Sequence, residues 1–305
     1  MRFHSVCALA AAAILSLTAC GGSGSLDSRP DPTPGDIREL TGLSAPAETG
    51  AAQQLRGLDI FSRADTLILS TMHGETGSAG VPSFRLLTEC SGSRCTATEP
   101  LSGAVDTIEL INTPIRQGAA TAIGSKHGIT LMSESSGHTG ADLASLGAWM
   151  EHGSFAIQSE SRAGEEGTVD VLYGIALGGL AGTAPAGSAA WAGLMVGTPA
   201  AGDARGERLV GTAELIYDLD AGGLAAAFSG IRNIDRGRAH STEAVMFSNI
   251  AVAPDGTFAR GQAGARIQGG FFGPDHAEAA GIFEQSGILG AFGATRQWDR
   301  PAEPQ

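Results

Sequence analysis

Chemistry in this chain would have to come from a few polar residues set among glycine and alanine. His276 and Glu278 stand two apart after Gly273-Pro274, a spacing that suits a metal-ligand pair or an acid–base pair. No second group of ligands stands at a matching interval, so a polar turn between strands is the favoured reading. Asp218 and Asp220 open like a calcium loop. The twelfth position is Ser229, where a bidentate glutamate is required, and a hairpin turn is the better account. Across Gly118 to Lys126, Gly124 is followed by Ser125, which breaks the Gly-Lys pair of a phosphate-binding loop; this stretch reads as an ordinary loop. Gly174 to Gly182 is glycine-rich but opens no helix after a strand. His138, in Ser-Ser-Gly-His-Thr-Gly, reads as a loop residue. The sequence has no G-x-S-x-G, H-E-x-x-H or C-x-x-C motif, so neither enzymatic activity nor a metal or cofactor is expected.

The cysteines speak of compartment. Cys90 and Cys95 flank Ser-Gly-Ser-Arg between two extended runs, which reads as a disulfide closing a hairpin in an oxidising compartment. Two thiols without further ligands make a poor zinc site. At the N-terminus, Arg2 precedes an apolar run from Val6 to Leu17 that is too short for an ordinary membrane span. Leu17-Thr18-Ala19-Cys20 then resembles a bacterial lipobox. Residues 1–19 are expected to be a signal peptide and Cys20 the lipid anchor to a membrane. By analogy with Gram-negative lipoproteins, Gly21 in place of aspartate favours the outer membrane. No later segment is long and apolar enough to span a bilayer.

The chain has 305 residues and a formal net charge of −13. An acidic chain without a basic cluster argues against nucleic acid as partner, because phosphate must be neutralised. Glycine, at 45 residues, is about twice ordinary usage and follows no G-X-Y period.

The elements that would position these residues are mainly strands. Residues 20–54, with Pro30, Pro32, Pro34 and Pro46, read as a flexible tether. In 55–187, Leu55–Ser70 has the spacing of an amphipathic helix, although its end could equally be extended. Short strands follow at Phe84–Cys90, Cys95–Glu99, Val105–Ile111, Ile129–Ser133, Leu146–Met150, Phe155–Ser159 and Val169–Leu177. In 188–296, Leu209, Gly211, Ala213, Leu215 and Tyr217 alternate with polar residues at the period of a half-buried strand. Pro254-Asp255-Gly256 signals a hairpin. Eight strands in this region predict a closed antiparallel β-barrel, with glycines bending and closing the sheet. Residues 297–305 form a tail. Trp149 and Trp191 are expected in the core.

Four segments carry a family resemblance. They are Ala190-Trp191-Ala192-Gly193-Leu194-Met195-Val196-Gly197, Asp255-Gly256-Thr257-Phe258, Gly270-Phe271-Phe272-Gly273-Pro274 with Glu278, and Gly290-Ala291-Phe292-Gly293-Ala294-Thr295-Arg296, with Gly281 and Phe283 between the last two. Together they resemble the C-terminal barrel domain of the transferrin-binding protein B family of Gram-negative surface lipoproteins. The resemblance covers about 110 residues. It implies an eight-stranded barrel beside a β-rich handle domain, and a structural role for the matching residues. It further implies a protein or iron-bearing ligand and a TonB-dependent receptor as partner. The chain carries one such lobe, where the transferrin binder has two, and the family's ligand-contacting loops find no match here. A small-molecule carrier using the barrel lumen and a structural envelope lipoprotein are the alternatives.

Overall fold

The computed structural model describes residues 31–53, 55–56, 68–74, 83–91, 94–98, 105–109, 120–138, 141–164, 167–220, 223–262 and 264–298. Two antiparallel sheets dominate them. The first contains β1 (Ile68–Gly74), β2 (Ser83–Ser91), β3 (Arg94–Thr98), β4 (Val105–Glu109), β5 (Thr121–Lys126), β6 (Ile129–His138), β7 (Ala141–Trp149), β8 (Gly153–Gly164) and β9 (Gly167–Gly178). Its order is β4-β3-β2-β1-β9-β8-β7-β6-β5, two meanders joined where β1 pairs with β9. This is the handle sheet.

The second contains β10 (Ser188–Pro199), β11 (Leu209–Asp218), β12 (Gly223–Asn233), the two-residue β13 (Arg238–Ala239), β14 (Ala244–Val252), β15 (Thr257–Gln262), β16 (Ala265–Phe272), β17 (Glu278–Gln285) and β18 (Ile288–Arg296). Apart from β13, each pairs with the next in line. The last returns to the first over nine register pairs, from Trp191↔Arg296 to Pro199↔Ile288. The result is the expected closed barrel of eight strands.

Alternation along the strands separates two cores. On β11, Leu209, Ala213, Leu215 and Tyr217 are buried in the lumen while Glu214 is exposed. On β10, Trp191 and Met195 point into the lumen, whereas Leu194 and Val196 point out. Those outward residues meet Leu146, Met150, Phe155 and Ile157 of the handle sheet. Strands β10, β17 and β18 are consequently buried on both faces, which is why they read as continuous apolar runs.

The glycines of this wall have a use that strand register brings out. Phe283 lies opposite Gly290, Phe292 opposite Gly281, and Phe258 opposite Gly269 in the strand registers. A side chain on any of these glycines would run into the facing ring. None of the three has a positive φ. They supply room for the facing rings. Outside the barrel, Gly293 makes the same room for Phe155, and Gly178 for Phe272.

Three further expectations need correcting. Within the expected tether, α1 (Pro34–Thr41) is a capped helix: the Thr33 hydroxyl accepts the Asp36 N–H, Asp36 accepts the Thr33 N–H, and Gly42 ends the helix at φ 70°. Proline at the first turn starts a helix as readily as it marks a linker. Ile37 and Leu43 join the core, Ser44 bridges to Ser125, and Gln53 is fully buried. The Gly118–Lys126 stretch contains β5, not only loop; Gly124 lies under the Ser44 carbonyl, where a Cβ would come within 2.7 Å. His138 ends β6. Of the Leu55–Ser70 segment, 57–67 lie outside the described residues, and Ile68 onward is extended as β1.

Candidate functional site

Trp191, Gly193 and Gly197 on β10, Gly270, Phe271 and Phe272 on β16, Glu278, Gly281 and Phe283 on β17, and Gly290, Ala291, Phe292, Gly293, Ala294 and Arg296 on β18 are far apart in sequence. Strand order β10-β18-β17-β16 brings them onto one wall of the barrel. The inner side of that wall fills the lumen. Phe228 stacks on Phe283 with centroids 4.3 Å apart, Phe292 lies 5.0 Å from Phe228, and Trp191 packs on Phe271 at 4.7 Å. Every member of the lumen cluster is at most 8% exposed.

His276 and Glu278 do not form a pair. Gly273 (φ 72°), Pro274, Asp275 and His276 make a tight 3₁₀ turn between β16 and β17. His276 Nε2 donates to the Thr183 carbonyl at 2.7 Å, and its own carbonyl accepts the Trp191 indole N–H at 2.7 Å. The Arg296 guanidinium donates to the Asp275 carbonyl and stacks over Trp298 at 4.4 Å. These contacts tie the β16–β17 turn to β10, β18 and the Thr183 loop.

Glu278 points the other way, into the joint between the two sheets. Its carboxylate is 4% exposed and accepts the main-chain N–H of Glu151 at 2.7 Å and of His152 at 3.0 Å. Both amides belong to the β7–β8 turn, which also carries the Met150 N–H to Gly153 carbonyl bond. Burial pushes the Glu278 carboxyl up to about 7, against the pull of the two amides and with the help of the Glu151 charge. The amides favour the ionised form, but desolvation outweighs them.

Residues that no sequence signal flagged complete the joint. Gln53 accepts the Trp149 N–H and donates to Glu48, which in turn pairs with Arg56. Lys126 donates to Thr212 at 3.0 Å, and Thr295 to the His127 carbonyl at 2.9 Å. Arg208 pairs with Asp235 and donates to Ser133. Asp218 accepts the Asp220 N–H within its turn, as expected of a hairpin. Among the described residues, no three His, Cys, Asp or Glu side chains gather as a metal site. Cys20 lies outside the described residues. Cys90 and Cys95 are register partners across the β2–β3 hairpin.

No protein-family model matches the chain, and no curated protein does. Solved structures do. The chain is similar to transferrin-binding protein B of Haemophilus parasuis Hp5, at 16% identity and a TM-score of 0.41, over 77% of this chain and 46% of that one. Against the isotype 1 transferrin-binding protein B of serogroup B Neisseria meningitidis the figures are 15%, 0.34, 76% and 44%. Against the N-lobe domain of lactoferrin-binding protein B of Moraxella bovis they are 10%, 0.32, 77% and 100%. The chain spans about half the length of the two transferrin-binding proteins.

What remains open to a partner is the outside of the molecule. Leu219 in the β11–β12 turn is 61% exposed, Met246 on β14 is 64% exposed and Trp298 after β18 is 66% exposed. The outward sides of β14 and β15 face solvent, opposite the wall covered by the handle sheet.

Proposed function

We propose that this chain is a non-enzymatic lipoprotein, anchored through Cys20 to the outer membrane, that binds a protein ligand on its exterior. The filled lumen carries the reading. A carrier needs a cavity for its cargo, and here Phe228, Phe258, Phe271, Phe283 and Phe292 occupy that space. Recognition is left to the exposed loops and the uncovered wall. The lipobox-like Leu17–Cys20 supports the anchor, and the barrel-wall motifs, in their resemblance to transferrin-binding protein B, support an iron-carrying host protein as ligand. Cys90 and Cys95 fit a disulfide, because they are register partners directly opposite each other on β2 and β3.

The test is a binding panel of transferrin, lactoferrin and haemoglobin against the immobilised full chain. Saturable binding that falls at least tenfold when Leu219, Met246 and Trp298 are changed to serine supports exterior recognition. Absence of binding to all three, or binding unaffected by those changes, counts against it.

A further inference from the structure

The barrel wall is uneven. Strands β14 and β15 share two register pairs, Ala251↔Ala259 and Val252↔Phe258. The other seven junctions hold between five and ten. Beyond Ala251 and Ala259 the strands share no further register pairs, and a left-handed residue stands on each just there: Asn249 at φ 51°, in the bulge of β14 against β12, and Gly261 at φ 92°, beside the β15–β16 turn. Such residues turn a strand out of its ladder. A Cβ on Gly261 would collide with the Ala265 carbonyl, so the position is committed to glycine and to this turn.

Exposure follows the same line. Ser248 and Asn249 on one strand, and Ala259, Arg260, Gly261 and Gln262 on the other, are exposed. Alternation from the buried Phe258 would place Arg260 inside, yet it meets solvent. Behind the gap stand two lumen side chains, Val245 and Phe247, the latter as exposed as any member of the lumen cluster at 8%. The opposite wall has full ladders and the handle sheet packed over it.

We propose that the barrel opens laterally at this seam, with β14 parting from β15 while the rest of the wall stays closed. Parting there undoes two register pairs and the Ala253 N–H to Thr257 carbonyl bond; parting anywhere else undoes at least five register pairs. With the fewest ladder hydrogen bonds to break, the seam is the least costly path by which solvent reaches the lumen, below the cost of global unfolding. Local opening of this kind belongs to the least stable units of a fold.

Two measurements test the opening. In a Cys90→Ser/Cys95→Ser background of the full chain, Val245→Cys places a thiol in the lumen behind the seam and Met195→Cys on β10 places one in the lumen of the wall covered by the handle sheet. Under native conditions the Val245→Cys thiol is expected to label at least about 100-fold faster. Equal labelling rates would overturn the proposal, since both thiols would then be reached by one global event. Hydrogen exchange on the unaltered protein needs no substitution to fold. The Ala251 and Ala259 amides, which face each other across the seam, are expected to exchange at least about 100-fold faster than those of Gly281 and Phe283, with little dependence on denaturant. Equal protection and a shared denaturant slope would overturn it as well.

Discussion

Replacing Glu278 with glutamine separates the two effects that meet at this carboxylate. Glutamine has the same shape, but it presents one acceptor and one donor group to two main-chain N–H groups. One of the Glu151 and His152 amides is then left facing an NH₂, a buried orphan that costs about 1–3 kcal/mol. Against this stands the removal of a buried charge. The Glu278 carboxyl sits at about 7 in the folded protein and at 4.5 in an unfolded chain. Between those values the folded state holds a proton that the unfolded state has released, so stability falls as pH rises through the window. At about 1.36 kcal/mol for each pH unit, the full span corresponds to about 3 kcal/mol, of which most falls between pH 5 and pH 8. Glu48, held down by its hydrogen bond to Arg56, and Asp255, held down by the Thr257 amide, act in the opposite sense. Their contribution is present above their ordinary values and lost only on further acidification, so they are flat over this range. Urea unfolding of both proteins at half-unit steps from pH 5 to pH 8 gives the result. The stability of the unaltered protein should fall by about 2–3 kcal/mol across the series, and that of Glu278→Gln should not. The substitution is therefore more costly at pH 5 than at pH 8. Parallel curves would refute the reasoning, because they would place the Glu278 carboxyl at an ordinary value.

Other expectations follow from the packing. Phe155→Ala empties the space above Gly293 in the joint between the sheets and should lower stability by about 3–5 kcal/mol in urea unfolding. Gly290→Ala drives a methyl into the Phe283 ring and should cost about 1–3 kcal/mol. Adding Phe283→Leu should recover part of that cost in a double-mutant cycle, whereas additive costs would show that the two do not meet. Thiol titration of the protein isolated from an oxidising compartment should find Cys90 and Cys95 unreactive until reduced. Their joint replacement by serine should lower stability by about 2 kcal/mol, as for a short closed loop. Labelling with radioactive palmitate should mark the unaltered chain and leave Cys20→Ala unmarked.

The barrel was legible because its signals are local. The alternation from Leu209 to Tyr217 and the Asp255-Gly256 turn each specify a strand or a hairpin by themselves, and eight such signals in a row specify closure. The glycines were legible as positions but not as a purpose. That Gly281 and Gly290 lie under Phe292 and Phe283 depends on strand register, which pairs residues across a turn, and a reading of single strands sees only flexibility. Gly124 was misread for the same reason, since what it accommodates is the Ser44 backbone some eighty residues away. The helix at Pro34–Thr41 hid behind its prolines; the Thr33–Asp36 capping box was the signal that could have found it. Glu278 had no readable partner, because it binds main-chain amides, and any residue type at 151 and 152 except proline would supply them. The joint between the sheets is thus made largely of features that side-chain spacing does not encode.

The claim at the centre is that the inside of the barrel is structure and the outside is where binding occurs. Native mass spectrometry of the Cys20→Ala chain, purified from cells without denaturation, tests it most directly. The expected mass is that of the polypeptide alone, with no small molecule retained and none taken up when a fatty acid is offered in excess. A stoichiometric small ligand held in the folded protein, and lost when Ala213 or Ala226 is enlarged to leucine, would contradict it.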